Sequence, residues 1–200
     1  MWSADSGQPL ATLEGDDLLA DVMSAMFSPD GQRIVTAYGN TARVWNASSG
    51  QLLAKLEGHT GDVRSAVFSP DGLRIVTASY DRTARVWNSL SGQLLATLQG
   101  HDDRVEDAEF SPDSQHIVTA SADHTARLWN TSNGEPLATL RGHTGRINSA
   151  KFSPNGRCIV TASEDNTARL WDAASSQLLA THNSAQIARY RPPTKTLAGR

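Results

Sequence analysis

Polar and apolar positions between Gly58 and Gln99 predict four short β-strands. Runs of about six residues, rich in β-branched and aromatic side chains, alternate with turn residues, and no helical period is present. Ser69-Pro70-Asp71-Gly72 has the composition of a type I turn, in which proline presets φ and aspartate accepts backbone hydrogen bonds. The predicted strands are Val63–Phe68, Arg74–Ser79, Thr83–Asn88 and Gln93–Leu98.

This stretch recurs along the chain, and tryptophan marks its period. The five tryptophans, Trp2, Trp45, Trp87, Trp129 and Trp171, are separated by 43, 42, 42 and 42 residues. A repeat of about 40–45 residues that opens with Gly-His and closes with Trp-Asp is typical of a four-stranded propeller blade. An all-β sandwich also contains short strands, but it does not repeat one sequence at a fixed length.

The period divides the chain into six segments. We predict the last strand of a preceding blade in residues 1–14, a degenerate blade 1 in 15–57, blade 2 in 58–99, blade 3 in 100–141, blade 4 in 142–182 and a flexible tail in 183–200. Blade 1 is degenerate because Gly15-Asp16 replaces Gly-His and Gly39 replaces an aspartate. We therefore expect blade 1 to be the loosest of the four.

Over residues 1–182 the chain resembles the WD-repeat (WD40) β-propeller family. The resemblance rests on Gly-His, Ser-Pro-Asp-Gly, a recurring aspartate and the tryptophan, although the Trp-Asp pair itself is present only at Trp171-Asp172. It implies an all-β fold of four-stranded antiparallel blades, with about four complete blades and a partial N-terminal one. Such a set forms an open arc, a fragment of a larger ring, or a ring that another chain completes.

The resemblance also implies that each blade is held by a buried hydrogen-bonded set of histidine, threonine, aspartate and tryptophan. Aspartate accepts from one imidazole nitrogen, the hydroxyl pairs with the other, and the indole N–H needs an acceptor. The same residue types form catalytic triads, but a single active site has no reason to recur in every blade. The implied sets are His59, Thr77, Asp81 and Trp87; His101, Thr119, Asp123 and Trp129; and His143, Thr161, Asp165 and Trp171.

Binding positions are expected where the repeats differ. In WD-repeat proteins, partners commonly dock on the face that carries the loops before the first strand and between the second and third strands. The positions on this face that vary in sequence are Asp62, Arg64, Tyr80, Arg82, Arg104, Glu106, His124, Arg146, Asn148 and Glu164. Tyrosine and arginine are common interface anchors, so Tyr80, which Arg64 and Arg82 are expected to flank, is the strongest candidate.

A further arginine recurs two residues before each tryptophan, at Arg43, Arg85, Arg127 and Arg169. Such a series invites comparison with a phosphate-binding stripe. Acidic residues balance it, and the net charge of the chain is −3. We therefore expect these side chains to pack along the strands with their charged ends in solvent.

Composition limits the remaining functions. The negative net charge argues against nucleic acid or an anionic membrane as a partner. Cys158 is the single cysteine, which leaves a thiolate metal site without further ligands. No phosphate-binding glycine loop and no unrepeated pair of nucleophile and base is present, so we predict neither a cofactor nor an enzyme. The absence of an export signal or a long apolar run favours the cytoplasm.

The sequence thus favours a non-catalytic scaffold for protein or peptide partners, as part of a larger multi-repeat scaffold or signalling protein. A second copy of the chain or a longer parent chain is expected to complete the ring. The alternative is a glycan-binding or enzymatic propeller with a site at the ring centre. An unrepeated polar cluster in a pocket would distinguish that alternative from the scaffold.

Overall fold

A computed structural model describes residues 21–183 of the chain as sixteen β-strands. Blade 1 contains β1 (Val22–Phe27), β2 (Arg33–Tyr38), β3 (Thr41–Asn46) and β4 (Leu52–Leu56). Blade 2 contains β5 (Val63–Phe68), β6 (Arg74–Ser79), β7 (Thr83–Asn88) and β8 (Leu94–Gln99). Blade 3 contains β9 (Val105–Phe110), β10 (His116–Ser121), β11 (Ala126–Asn130) and β12 (Pro136–Leu140). Blade 4 contains β13 (Ile147–Phe152), β14 (Cys158–Ser163), β15 (Thr167–Asp172) and β16 (Leu178–Asn183).

Each blade is one antiparallel sheet whose strands lie side by side in chain order. Within the described part of the chain no helix is present, and the expected all-β architecture of four-stranded blades is confirmed. The strand predicted within residues 1–14 and nearly all of the predicted tail lie outside the described residues. Asn183, which we assigned to that tail, is the last residue of β16.

The fourth strand of blade 2 begins one residue later than its sequence predicts. Gln93 belongs to the preceding turn, where its carbonyl accepts a hydrogen bond from the Asn88 N–H at 2.8 Å. The register of β7 and β8 shifts between Val86 and Trp87, which is the mark of a β-bulge. β8 begins at Leu94, which pairs with Trp87.

The hydrophobic core lies between the blades. Blade 2 packs one face, with Phe68, Ile75 and Trp87, against blade 1, and its other face, with Val76 and Leu98, against blade 3. Equivalent residues of blades 3 and 4 form a third cluster. Each sheet therefore depends on a neighbour to keep its apolar faces from water.

Among residues 21–183, the two ends of the row of blades lack such a neighbour. Val22 and Phe27 of blade 1 are 57% and 55% exposed, whereas their counterparts in blade 2, Val63 and Phe68, are 0% and 3% exposed. At the other end Val160 is 43% exposed. The blades are not closed into a ring, and the expected open arc is confirmed.

Candidate functional site

A chain of hydrogen bonds connects two strands and two loops of blade 2 through His59. The Nδ1 atom of His59 lies 2.7 Å from Oδ2 of Asp81, and its Nε2 atom lies 2.8 Å from Oγ1 of Thr77. The indole N–H of Trp87 donates to the same Thr77 hydroxyl at 2.9 Å. Thr77 is on β6 and Trp87 on β7, while His59 and Asp81 lie in the loops that precede β5 and β7. The four side chains named from the sequence are thus in direct contact.

Blades 3 and 4 contain the same arrangement at equivalent positions. His101 lies 2.7 Å from both Asp123 and Thr119, and Trp129 donates to Thr119 at 2.9 Å. In blade 4, His143 lies 2.7 Å from Asp165 and 2.8 Å from Thr161, and Trp171 donates to Thr161 at 2.9 Å. The geometry is therefore a property of the repeat.

The proton positions in blade 2 follow from the donor capacity of each group. Desolvation opposes ionisation of Asp81, but hydrogen bonds from Thr83 and His59 hold its pKa below the usual 3.8. The ionised carboxylate only accepts, so Nδ1 of His59 carries the proton. Burial lowers the pKa of His59 from its ordinary value of 6.5, which leaves Nε2 free to accept from the Thr77 hydroxyl. Every polar atom of the set then has a partner.

The aspartate also organises the surrounding backbone, a role that the sequence did not reveal. Asp81 accepts from the Thr60 N–H at 3.1 Å, the Thr83 N–H at 3.0 Å and the Thr83 hydroxyl at 2.7 Å. Thr125 and Thr167 make the same contacts with Asp123 and Asp165. The recurrence of threonine two residues after each aspartate was the available signal.

The recurring arginines are not simply directed into solvent, which corrects our expectation. A Cβ atom on Gly58 would lie 2.5 Å from Nη1 of Arg85 and 3.9 Å from the ring of Trp87. The guanidinium therefore packs over the glycine of the Gly-His pair. Gly58 also has φ +137°, a conformation that residues with a Cβ atom rarely adopt. Close packing and backbone conformation together explain why residue 58 is a glycine.

Blade 1 retains only part of this network. Trp45 donates to Thr36 at 2.9 Å, as its counterparts do. The hairpin between β2 and β3 is reduced to Gly39-Asn40 and has no aspartate equivalent to Asp81. Arg43 lies over the ring of Tyr38, with its guanidinium carbon 4.8 Å from the ring centroid.

Six of the ten candidate binding residues are connected by ionic and ring interactions that include one buried carboxylate. Glu106, on β9, is 5% exposed. Its Oε2 atom lies 2.6 Å from Nη2 of Arg146 and 4.0 Å from Nε of Arg64. Arg146 also lies 4.0 Å from Glu164, and the Arg104 guanidinium carbon is 4.9 Å from the centroid of Tyr80. We call these residues the Glu106 cluster: Arg64, Tyr80, Arg104, Glu106, Arg146 and Glu164.

The electrostatics of the cluster are dominated by the pair of Glu106 and Arg146. Desolvation acts to lower the pKa of Arg146, but the hydrogen bond and charge of Glu106 outweigh it, so this pKa is raised above its ordinary value. The Oε1 atom of Glu106 has no hydrogen-bond partner in the described part of the chain. The structure thus places a charged acceptor beneath a surface of arginine and tyrosine. Its pairing depends on differences between blades 2, 3 and 4, which a repeat period does not reveal.

The other four candidates do not join this cluster. Asp62, Arg82, His124 and Asn148 are exposed, and their side chains make no hydrogen bond or ion pair within residues 21–183. Arg82 and His124 have φ of +71° and +67° in the turns that follow β6 and β10.

A second charged contact, also absent from our sequence predictions, joins blades 3 and 4. The ammonium group of Lys151 lies 3.0 Å from Asp107 and 2.9 Å from Glu109. Asp107 further accepts from the Ala150 N–H at 3.3 Å. Desolvation opposes the charge on Lys151, but the two carboxylates outweigh it and raise its pKa above 10.5.

Between residues 21 and 183, no group of three or more histidine, cysteine, aspartate or glutamate side chains has the arrangement of a metal site. The described strands and loops include no helix that is long and apolar enough to cross a membrane.

Replacing the central hydroxyl of the blade 2 network tests its contribution to stability. Thr77→Val leaves both the Trp87 N–H and Nε2 of His59 without a partner, and we expect a loss of about 2–4 kcal/mol in the free energy of unfolding. Thr36→Val in blade 1 removes a partner from Trp45 alone, so about 1–2 kcal/mol is expected. Urea unfolding of both variants measures the difference. Equal losses would contradict the assigned role of the histidine.

Acid is expected to weaken the fold in two steps. Because the pKa of His59 is lowered on folding, the unfolded chain binds the proton more readily, and stability falls as pH drops below about 6.5. The lowered pKa values of Asp81, Asp123 and Asp165 add a second loss below about 3.8. Urea unfolding across this pH range measures both steps. His59→Gln is the control: it should reduce the first step, and an unchanged profile would refute the assignment.

Comparison with known proteins agrees with this geometry. The family model described as WD domain, G-beta repeat matches residues 7–46, 50–88, 92–130 and 134–172, which together are more than half of the chain. Each match ends at the residue after a tryptophan, and the second, third and fourth matches each join the last strand of one blade to the first three strands of the next. No curated protein matches the sequence. The repeated Gly-His and tryptophan positions, the four-stranded blades and this family match establish that the chain belongs to the WD-repeat family.

Proposed function

We propose that this chain is a non-catalytic scaffold whose protein partner docks on the Glu106 cluster. WD-repeat proteins generally act as protein-interaction scaffolds and are typically non-catalytic. The observation that carries the proposal is that Arg64 of blade 2 and Arg146 of blade 4 both approach the buried carboxylate of Glu106 in blade 3, while Arg104 of blade 3 stacks on Tyr80 of blade 2. Side chains from separate blades meet there in a combination that no single repeat contains.

Burial of the threonine hydroxyls supports the non-catalytic assignment. A nucleophile must reach a substrate atom at about 3 Å. Thr77, Thr119 and Thr161 are all 0% exposed, and each already accepts a hydrogen bond from an indole. A histidine and a hydroxyl that are enclosed in this way stabilise the blade and have no access to a substrate.

The chemistry of the Glu106 cluster suits recognition of a protein surface. Arginine and tyrosine are the residue types that most often contribute large binding energies in interfaces. Stacking on Tyr80 orders the exposed Arg104 side chain, and ion pairing with Glu106 orders Arg146, so less conformational entropy is lost on binding. Three arginines against two glutamates leave the cluster with a small positive charge, which favours a partner segment that carries carboxylates.

We further propose that the apolar end faces of the arc pack against additional blades of the same kind. Val22 and Phe27 occupy the positions that Val63 and Phe68 bury between blades 1 and 2. Val160 likewise occupies the position of Val76, which is buried between blades 2 and 3. A second copy or a longer parent chain supplies such a surface. The cytoplasmic location and the lack of nucleic-acid partners stay predictions.

Affinity capture with a matched control tests the partner surface. Tagged protein that carries Tyr80→Ala and Arg104→Ala is expected to lose partners that the unaltered chain retains from a cell lysate. Arg141→Ala removes another exposed arginine of blade 3 outside the cluster and is expected to retain them. Quantitative mass spectrometry of the captured proteins measures the difference. Equal recovery with all three proteins would contradict docking at the cluster.

Light scattering tests the proposal for the end faces. We expect the chain to form species of at least twice its 21.5 kDa mass, because burying the end faces removes apolar surface from water. Phe27→Asp places a charge on one end face and should return the chain to the monomer. A stable monomer whose mass Phe27→Asp does not change would contradict the proposal.

A further inference from the structure

An arginine side chain fills the groove between blades 1 and 2 on the face opposite the Glu106 cluster. Nη1 of Arg33 donates to the Ser89 carbonyl at 3.1 Å and to its hydroxyl at 3.0 Å, and Nη2 donates to the Gly72 carbonyl at 3.1 Å. The guanidinium carbon lies 5.3 Å from the centroid of the Phe68 ring. One planar cation thus joins two backbone acceptors and an aromatic ring of the next blade.

The equivalent groove between blades 3 and 4 lacks this side chain. The repeat places His116 at the position of Arg33, while Phe152, Gly156 and Ala173 occupy the positions of Phe68, Gly72 and Ser89. A cavity of about 480 Å³ opens there, with all four of these residues in its lining. Such a volume is within the range of ligand pockets in proteins. Imidazole is shorter than an arginine side chain and leaves the space unfilled.

The ring and the carbonyl groups that would contact a guanidinium are present in this groove. Phe152 is partly exposed, whereas its counterparts Phe68 and Phe110 are 3% and 4% exposed. Within the described residues the carbonyls of Gly156 and Ala173 accept no hydrogen bond. Asp113 also lines the cavity, and hydrogen bonds from Ser111 and the backbone hold its pKa below the usual 3.8, so it adds a negative charge.

In the groove between blades 2 and 3, the arginine at the position of Arg33 contacts its own blade instead of the next one. Arg74 lies 3.6 Å from Asp71 of its own turn. Thr131, at the position of Ser89, then has a buried hydroxyl without a partner. In blade 2, the guanidinium of Arg33 satisfies the Gly72 carbonyl and the carbonyl and hydroxyl of Ser89. Where no guanidinium enters the groove, the equivalent acceptors have no such donor.

We propose that the groove between blades 3 and 4 binds an arginine side chain of a partner protein. The incoming guanidinium takes the place that Arg33 occupies between blades 1 and 2: it donates to the carbonyls of Gly156 and Ala173 and lies over the ring of Phe152. Arginine suits the site better than lysine because its planar head donates in two directions and stacks on an aromatic ring. Asp113 contributes attraction for the positive charge.

Nuclear magnetic resonance titration tests the site with N-acetyl-L-arginine amide as the probe. We expect shifts of the backbone amide signals of Gly156 and Ala173 that saturate. The neutral isostere N-acetyl-L-citrulline amide should bind at least about fivefold more weakly, because it lacks the charge. His116→Arg fills the groove from within the chain and should abolish the shifts. Absence of saturable shifts, or equal binding of the citrulline compound, would overturn the proposal.

Two milder variants keep the test decisive if His116→Arg disturbs folding. Ala173→Ser restores the hydroxyl that Ser89 supplies in blade 2 and should tighten probe binding by about tenfold. Arg33→Ala empties the groove between blades 1 and 2, and the probe should then also shift the amide signals of Gly72 and Ser89. No tightening with Ala173→Ser together with no new site in Arg33→Ala would contradict the assigned geometry. Neither variant touches the Glu106 cluster, so this result is independent of docking there.

Discussion

A blade buries its apolar faces only against other blades, and the structure follows from this constraint. Phe68, Ile75 and Trp87 are covered by blade 1, and Val76 and Leu98 by blade 3. No sheet has a hydrophobic core of its own, so each blade is stabilised by packing against its neighbours. The polar network of His59, Thr77 and Asp81 adds to this packing from within the blade, because it connects the loop before β5 to β6 and β7 without leaving a polar atom unsatisfied.

The same constraint explains why function resides where the repeats differ. Positions that face a neighbour or join the buried network are nearly identical in blades 2, 3 and 4. Positions at the rims of the sheets are free to vary, and the Glu106 cluster and the groove at His116 both arise from such variation. Both lie at the boundary between blades 3 and 4: Arg146 reaches Glu106 across it, and the groove at His116 opens there, whereas Arg33 fills the corresponding groove between blades 1 and 2. Repetition supplies the scaffold, and departures from it supply recognition.

How far the sequence predicts the structure depends on whether a contact lies within one repeat. The bounds of β5, β6 and β7 follow from the alternation of apolar and turn residues, while β8 begins and ends one residue later than predicted. The recurring histidine, threonine, aspartate and tryptophan positions are those that the structure brings into contact. The charged ends of Arg85, Arg127 and Arg169, which we expected in solvent, pack against the glycine of a Gly-His pair, because glycine has no Cβ atom to occupy that space. Contacts between blades have no periodic signal and emerge only from the assembled fold.

Native-state hydrogen exchange measures most directly whether stability is shared between neighbouring blades. Amides of β6, β7, β10 and β11 lie in the blades that are covered on both faces, and the account predicts that they exchange most slowly. Blade 1 has one uncovered face and lacks the histidine and aspartate of the network, so amides of β2 and β3 should exchange fastest among the inner strands, with blade 4 between the two groups. Equally slow exchange in β2 and β6 would show that each blade is stable by itself and would contradict the account.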